Sequence, residues 1–178
     1  VSSLIKPVQG DVSDADTVAK LVEGHDAVIS AFNAGWTNPN LYNDFMAGSE
    51  AIEKGIKQTS VKRLLVVGGA GSLEIAPGLA LIDTPTFPEA YKPGASAARD
   101  YLNLLKQNTQ LDWTFLSPAI EMGPHNSGKR TGRYRTGLNN PVFDEQHKSR
   151  ISVEDLAVAI VDEIERPQFI KQRFTVGY

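Results

Sequence analysis

Gly68, Gly69 and Gly71 fall within four positions at the end of the apolar run "RLLVVGGAGS" (63–72), with Ala70 between them and Ser72 directly after. Glycines in such a place can cradle a phosphate, but only where the loop opens a helix whose first N–H groups hold the anion. Counted from Gly69, the third position of G-x-G-x-x-G is Glu74, so the spacing fails. The "SLEIAPGLALIDTP" that follows carries prolines that deny a regular helix. The remaining use is close approach, in which backbone without a Cβ lies against a flat ligand face or forms a tight turn. "GKRTGRYRTG" (128–137) places Lys129, Arg130, Arg133 and Arg135 around Tyr134, which suits a solvated hairpin or a rim for a phosphate-bearing substrate. His25, His125 and His147 lack metal-ligand spacing, and the chain has no cysteine, so no metal site, thiolate nucleophile or disulfide framework is expected. Glu154 and Asp155 read as acids in the first turn of a helix, not as a catalytic pair.

The elements that must position these residues alternate in type. "LIKPVQ" (4–9), "DAVISAF" (26–32), "KRLLVVG" (62–68), "DWTFLS" (112–117) and the terminal "QRFTVGY" read as strands. Between them lie a helix capped by Ser13 or Asp14 and stopped by Gly24, and a long helix from Asn38–Pro39 to about Gln58. Two more helices run from about Ala95 to Asn108 and behind Ser152, where Asp155 stands at capping-box spacing. Residues 68–88 read as an irregular stretch and 123–150 as an excursion with short strands near "RYRT" and "PVF". At 178 residues with 41% hydrophobic and 22% charged content, one soluble domain is expected. A net charge of −3 gives no reason to expect nucleic acid, and no apolar run reaches membrane-spanning length. The pattern is α/β: a Rossmann-like doubly wound parallel sheet, in which ligands bind at the carboxyl ends of the strands.

In order along the chain, "QGDVSDADTVAKLVEGHDAVISAF", "VKRLLVVGGAGSL", "LDWTFLSPA" and "SRISVEDLAVAIVDEIERP" resemble the NmrA-like, atypical short-chain dehydrogenase superfamily. Within it they are most similar to the NADH–flavin reductase group, relatives of biliverdin/flavin reductase. The resemblance implies that Asp11 and Val12 lie along the adenine, a place where Asp11 also suits a turn or cap. It puts Ala31, Phe32, Asn33 and Gly35 beneath the ribose and pyrophosphate, with Phe32 equally suited to the core. Gly68, Gly69, Ala70 and Gly71 fall near the nicotinamide, and Ser117, Pro118 and Ala119 pack against it. Ser72 stands near the position of a carbonyl-polarising hydroxyl. Members of the superfamily begin with a strand, a glycine-rich turn, a helix and a second strand. "LIKPVQ" matches their third strand, so that β-α-β unit, roughly 30–45 residues, is expected upstream of Val1. "LIKPVQ" should then not ladder onto "DAVISAF", because two strands belong between them.

The proton relay of extended short-chain dehydrogenases, Tyr-x-x-x-Lys, is not matched. Tyr91 has Ala95 four residues on, and Tyr101 has Leu105. The expected activity is therefore NAD(P)H-dependent hydride transfer to a flavin or quinone, which needs no positioned acid. The cofactor would be NAD or NADP, with FMN or FAD as possible substrate, in the cytoplasm and away from membranes. Two alternatives stay open: a non-catalytic redox sensor of the NmrA kind, and a carbonyl or sugar dehydrogenase that uses a displaced tyrosine, Tyr91.

Overall fold

Asp14 accepts a hydrogen bond from the Asp16 N–H and so caps α1 (Ala15–Val22), which ends before Gly24 at φ 77°. The chain is seen here in a computed structural model that describes residues 4–178. Strand β1 (Ala27–Ser30) leads through a turn to α2 (Leu41–Lys57), and β2 (Arg63–Val67) ends at the glycines. Residues 68–91 are less irregular than expected. Single turns at Ala70–Ser72, Leu81–Asp83 and Glu89–Tyr91 flank a small antiparallel pair, β3 (Glu74–Ala76) and β4 (Leu79–Ala80), which turns on Gly78 at φ 73°. Helix α3 (Lys92–Leu105) begins three residues earlier than its sequence suggests, because Pro93 falls in the first turn, where no N–H is needed. Then follow β5 (Asp112–Ser117), β6 (Arg135–Gly137), α4 (Val153–Glu165) and β7 (Gln172–Gly177).

The main sheet has the order β1-β2-β5-β7-β6, and every pairing is parallel except that of β6 with β7. Alternation along the strands splits the core in two. Leu64, Val66, Trp113 and Phe115 face α2 and α3, meeting Phe45, Ile56, Tyr101 and Leu102. Leu65, Leu116, Phe174 and Val176 face α4 through Leu156 and Ala159. Helices on both faces of a parallel sheet make the doubly wound arrangement. Between β2, β5 and α4 lies a buried ion pair: Arg63 Nη2 is 2.9 Å from Glu163 Oε1, and Arg63 Nη1 donates to Thr114 Oγ1 at 2.7 Å.

Two expected strands do not form. Residues 4–9 are in no strand, and β1 pairs with β2 alone among the described residues. An extended segment becomes a strand only by laddering onto a neighbour; none lies beside 4–9, and Pro7 has no N–H to donate. "LIKPVQ" is thus laddered onto no strand of the described residues, β1 included. "PVF" (141–143) also stays outside the sheet: Val142 is buried against Gly137 and Gly177, while β6 takes the edge position beside β7.

Candidate functional site

The tips of β1, β2 and β5 lie together at the carboxyl end of the sheet. A Cβ on Gly68 would stand 2.0 Å from the Phe115 ring, and one on Gly71 would be 2.9 Å from Ala95 Cβ. Packing therefore already requires a bare backbone at both positions. Gly69 differs: its Cβ would meet only Ala98, at an ordinary 3.8 Å. Of the three glycines, it alone is bare without a packing reason. At the tip of β1, Ala31, Asn33 and Gly35 are exposed, and Asn33 Oδ1 accepts from the Gly35 N–H at 2.7 Å, with Gly35 at φ 98°. Phe32 turns inward and stacks on Phe45, ring centroids 5.9 Å apart, so its side chain belongs to the core.

Two aromatic side chains stand at this end. Trp36 and Tyr91, 60% and 54% exposed, meet edge-on at 5.5 Å over the start of α3. Gly94 makes room there, since a Cβ on it would come within 2.9 Å of Trp36 Cζ3. Sequence reading missed Trp36; an aromatic residue just beyond the end of a strand was the available signal. Lys92 pairs its ammonium with Glu89. The other tyrosines are held by carboxylates. Tyr101 is buried and reaches Glu53, and its burial pushes its pKa up. Tyr134 bonds Asp162 at 2.7 Å; burial and that bond push its pKa up to about 12. Tyr42 bonds Asp100, which likewise raises its pKa.

Ser117, Pro118 and Ala119 are all buried, and the Ala119 side chain joins the core under α4. Ser117 pairs in register with Thr175, and both hydroxyls lack a hydrogen-bond partner. Two residues before Thr175 on the same face of β7, Arg173 donates from Nη1 to the Ser72 carbonyl (2.8 Å) and Oγ (3.1 Å), and from Nη2 to Asn139 Oδ1 (2.8 Å). Burial lowers its pKa, which Glu74 partly offsets. Ser72 is thereby tied by a guanidinium to β7, and Arg173 joins the glycine loop to the 123–150 excursion. Sequence reading did not single out Arg173. Glu74 N–H to Asn139 carbonyl, 2.8 Å, adds a second tie between loop and excursion.

The excursion leaves the tip of β5 and returns to it. Glu121 N–H donates to the Ser149 carbonyl, and Glu121 bridges Arg150 in parallel. Ser152 caps α4 by accepting from the Asp155 N–H at 3.1 Å. The reciprocal half of the capping box is replaced: the Ser152 N–H donates to the Tyr178 hydroxyl, which donates to Asp155 Oδ2. Asp155 also accepts from the Thr131 and Gly132 N–H groups and from Thr131 Oγ1. Burial pushes the Asp155 carboxyl up, but the bonds from Thr131, Tyr178 and Gly132 outweigh it and hold the pKa at about 2.

Asp11 and Val12 are not brought to these tips. Asp11 Oδ1 accepts from the N–H and hydroxyl of Ser13, and the hydrogen bond to Ser13 lowers its pKa. The start of α1 rests on the second half of α2, with Gln58 Nε2 3.1 Å from Asp16 Oδ1, at the amino end of the sheet. A groove of about 910 Å³ opens there between α1, α2 and α3. Its carboxylates Asp14, Asp16, Glu50 and Glu53 outnumber Lys54 and Lys57, so an anionic ligand would be repelled. Among the described residues no group of His, Asp or Glu could hold a metal.

The model of a family described as NAD(P)H-binding matches residues 2–167. The chain belongs to the NAD(P)H-binding family. Its sheet is that of Rossmann-fold NAD(P)-binding proteins. The uncharacterized protein YwnB of Bacillus subtilis is 41% identical over 163 residues, 90% of this chain and 74% of its own. A solved structure from Burkholderia pseudomallei, provisionally named an exported protein, is 45% identical with a TM-score of 0.83, covering 94% of this chain and 79% of that one. One from Bacteroides thetaiotaomicron, provisionally named an epimerase, is 47% identical with a TM-score of 0.85, covering 94% and 74%. A Streptococcus pneumoniae protein, provisionally named an NADH-flavin reductase, is 36% identical with a TM-score of 0.84, covering 99% and 81%. For an NAD(P)H-binding chain, the residues present fit the flat end of the dinucleotide: Gly69 is bare where no packing demands it, beside the open tip of β1. They do not form an anion-holding turn, because Ala70–Ser72 is a single 3₁₀ turn that runs into β3.

Proposed function

We propose that this NAD(P)H-binding chain belongs to an oxidoreductase that passes hydride to a flavin or quinone-like acceptor. A bound nicotinamide supplies the hydride, two electrons with one hydrogen, and water supplies the proton that completes reduction of the acceptor ring. The observation that carries the reading is the state of the tyrosines. Tyr42, Tyr101 and Tyr134 are each bound to a carboxylate that holds the phenol protonated, and Tyr91 has its neighbour Lys92 turned to Glu89. A carbonyl reductase needs the opposite, a phenol whose pKa is lowered by an ammonium. Ring-to-ring hydride transfer needs stacking, orientation and exclusion of water. Gly69 offers bare backbone for one ring, and Trp36 and Tyr91 offer exposed aromatic surface for another.

In this reading Ala31, Asn33, Gly35 and Gly69 line the cofactor. Ser72, fixed by Arg173, holds the loop in place, and the 123–150 excursion bounds the acceptor. The acceptor is a small molecule. No helix among the described residues is long and apolar enough to cross a membrane. We place the protein in the cytoplasm because a chain without cysteine needs no oxidising compartment; the name given to the Burkholderia relative points the other way.

The test mixes the full-length protein with NADPH or NADH and FMN and follows the nicotinamide absorbance band. Oxidation well above the protein-free rate supports the reading. Cofactor binding without turnover of any acceptor overturns it in favour of a redox sensor. Turnover confined to carbonyl substrates, and lost in Tyr91→Phe, overturns it in favour of a dehydrogenase.

A further inference from the structure

We infer that the Lys129–Arg133 loop is a phosphate-recognition rim that selects a phosphate-bearing flavin over its unphosphorylated form. The inference rests on the oxidoreductase reading and adds the acceptor's class. Of the four cations in this stretch, Arg135 is spent on structure, since its Nη2 donates to the Phe143 and Tyr178 carbonyls. Lys129, Arg130 and Arg133 are exposed, and among the described residues none has an ion pair. Other exposed cations, such as Lys20 and Lys106, are also outside any ion pair among the described residues, but they stand singly, whereas these three fall within five positions on one loop.

The loop that carries them is held rigidly. Gly128 N–H donates to Glu154 Oε1 (2.7 Å), Thr131 N–H and Gly132 N–H to Asp155 Oδ1 (2.9 and 2.8 Å), and Thr131 Oγ1 to Asp155 Oδ2 (2.6 Å). Asp155 is fully buried, and Gly128 and Gly132 take φ 96° and 70° on either side of the basic tip. Glu154 and Asp155 therefore spend oxygens on loop backbone, and three cations stand on a clamped turn. Clamping matters energetically, because an exposed cation on a free loop loses most of its attraction to the entropy of ordering it.

Position completes the case. Asp155 and Glu154 begin α4, whose end leads into the start of β7, so the clamp lies at the carboxyl end of the parallel strands. The bonds of Glu121 to Ser149 and Arg150 tie this end of α4 to the tip of β5. An isoalloxazine ring against Trp36 and Tyr91, the surface given to the acceptor, would carry its ribityl phosphate outward from the same end of the sheet. A phosphate dianion there would meet three donors with flexible reach.

The test compares equilibrium binding of FMN and riboflavin to the full-length protein by flavin fluorescence, without nicotinamide. Wild type should bind FMN several-fold and up to roughly tenfold tighter than riboflavin, the range that three exposed charge contacts can supply. The preference should weaken as salt is raised from low to about 0.5 M. It should collapse in Lys129→Ala/Arg130→Ala/Arg133→Ala, which removes only exposed side chains. Equal binding of the two flavins, or a preference that survives the triple substitution, overturns the inference and leaves the oxidoreductase reading intact. If neither flavin binds or is reduced, while quinones are, the inference falls and the reading narrows to quinones. If no acceptor of either kind is reduced, both fall together.

Discussion

Gly68, Gly69 and Gly71 share a residue type and a loop but not a role. At Gly68 a methyl would enter the Phe115 ring, so Gly68→Ala should cost about 1–3 kcal/mol of stability through forced repacking. Gly69→Ala meets only Ala98 at 3.8 Å and has no left-handed φ to satisfy, so it should fold with nearly unchanged stability. On the proposed function it should nonetheless weaken NAD(P)H binding, because the added methyl lies between backbone and ring. Urea unfolding and cofactor titration of the two variants check this; equal losses of stability in both would refute it. The triad of glycines and its failure as a phosphate loop were legible from spacing alone. Which glycine is free was not, because that depends on Phe115, Ala95 and Ala98, which reach the loop from later elements. Arg173 was illegible for the same reason: its partners Ser72 and Asn139 lie 101 and 34 positions away.

At the scale of elements, the tie between β2, β5 and α4 is the buried pair Arg63–Glu163, with side chains 11% and 3% exposed. Glu163 also accepts from the Gln168 and Phe169 N–H groups, which shape the turn between α4 and β7. Arg63→Leu would leave that carboxylate buried without its cation and should cost about 3–5 kcal/mol. Denaturant unfolding measures the loss; a change under about 1 kcal/mol would mean that the backbone donors alone satisfy Glu163. Most elements were readable where a cap and a periodic stripe coincided, as in α1 behind Asp14 and α4 behind Ser152. The strand expected at 4–9 was not formed, because apolar character marks a segment that could pair but not whether a partner lies beside it. The start of α3 lies three residues before the expected Ala95, because Pro93 falls in the first turn, where a proline is tolerated.

For the molecule as a whole, the carboxyl end of the sheet depends on one carboxylate. Asp155 joins the basic loop, the start of α4 and the C-terminal Tyr178. Its pKa is depressed in the folded state, to about 2 from 3.8, so its contribution to stability is complete above the unfolded value and is lost as pH falls through the folded one. The stability difference between wild type and Asp155→Asn should therefore hold steady above about pH 5 and shrink as pH falls from about 4 to 2. Thermal unfolding across that range checks it; an equal difference at pH 3 and pH 6 would refute it.

The amino-acid order alone determined that strands and helices alternate, that the sheet is mainly parallel and covered on both faces, and that this chain offers no thiol. Those conclusions follow from local periodicity, capping and composition, which act over a few residues. Only the tertiary structure decided which bare backbone is open, that Arg173 anchors Ser72, that Tyr42, Tyr101, Tyr134 and Tyr178 are held by carboxylates, and that a buried aspartate clamps the basic loop beside the tip of β5. Each of these is a contact between residues far apart in the chain, and such contacts exist only once the sheet has brought the ends of its strands together.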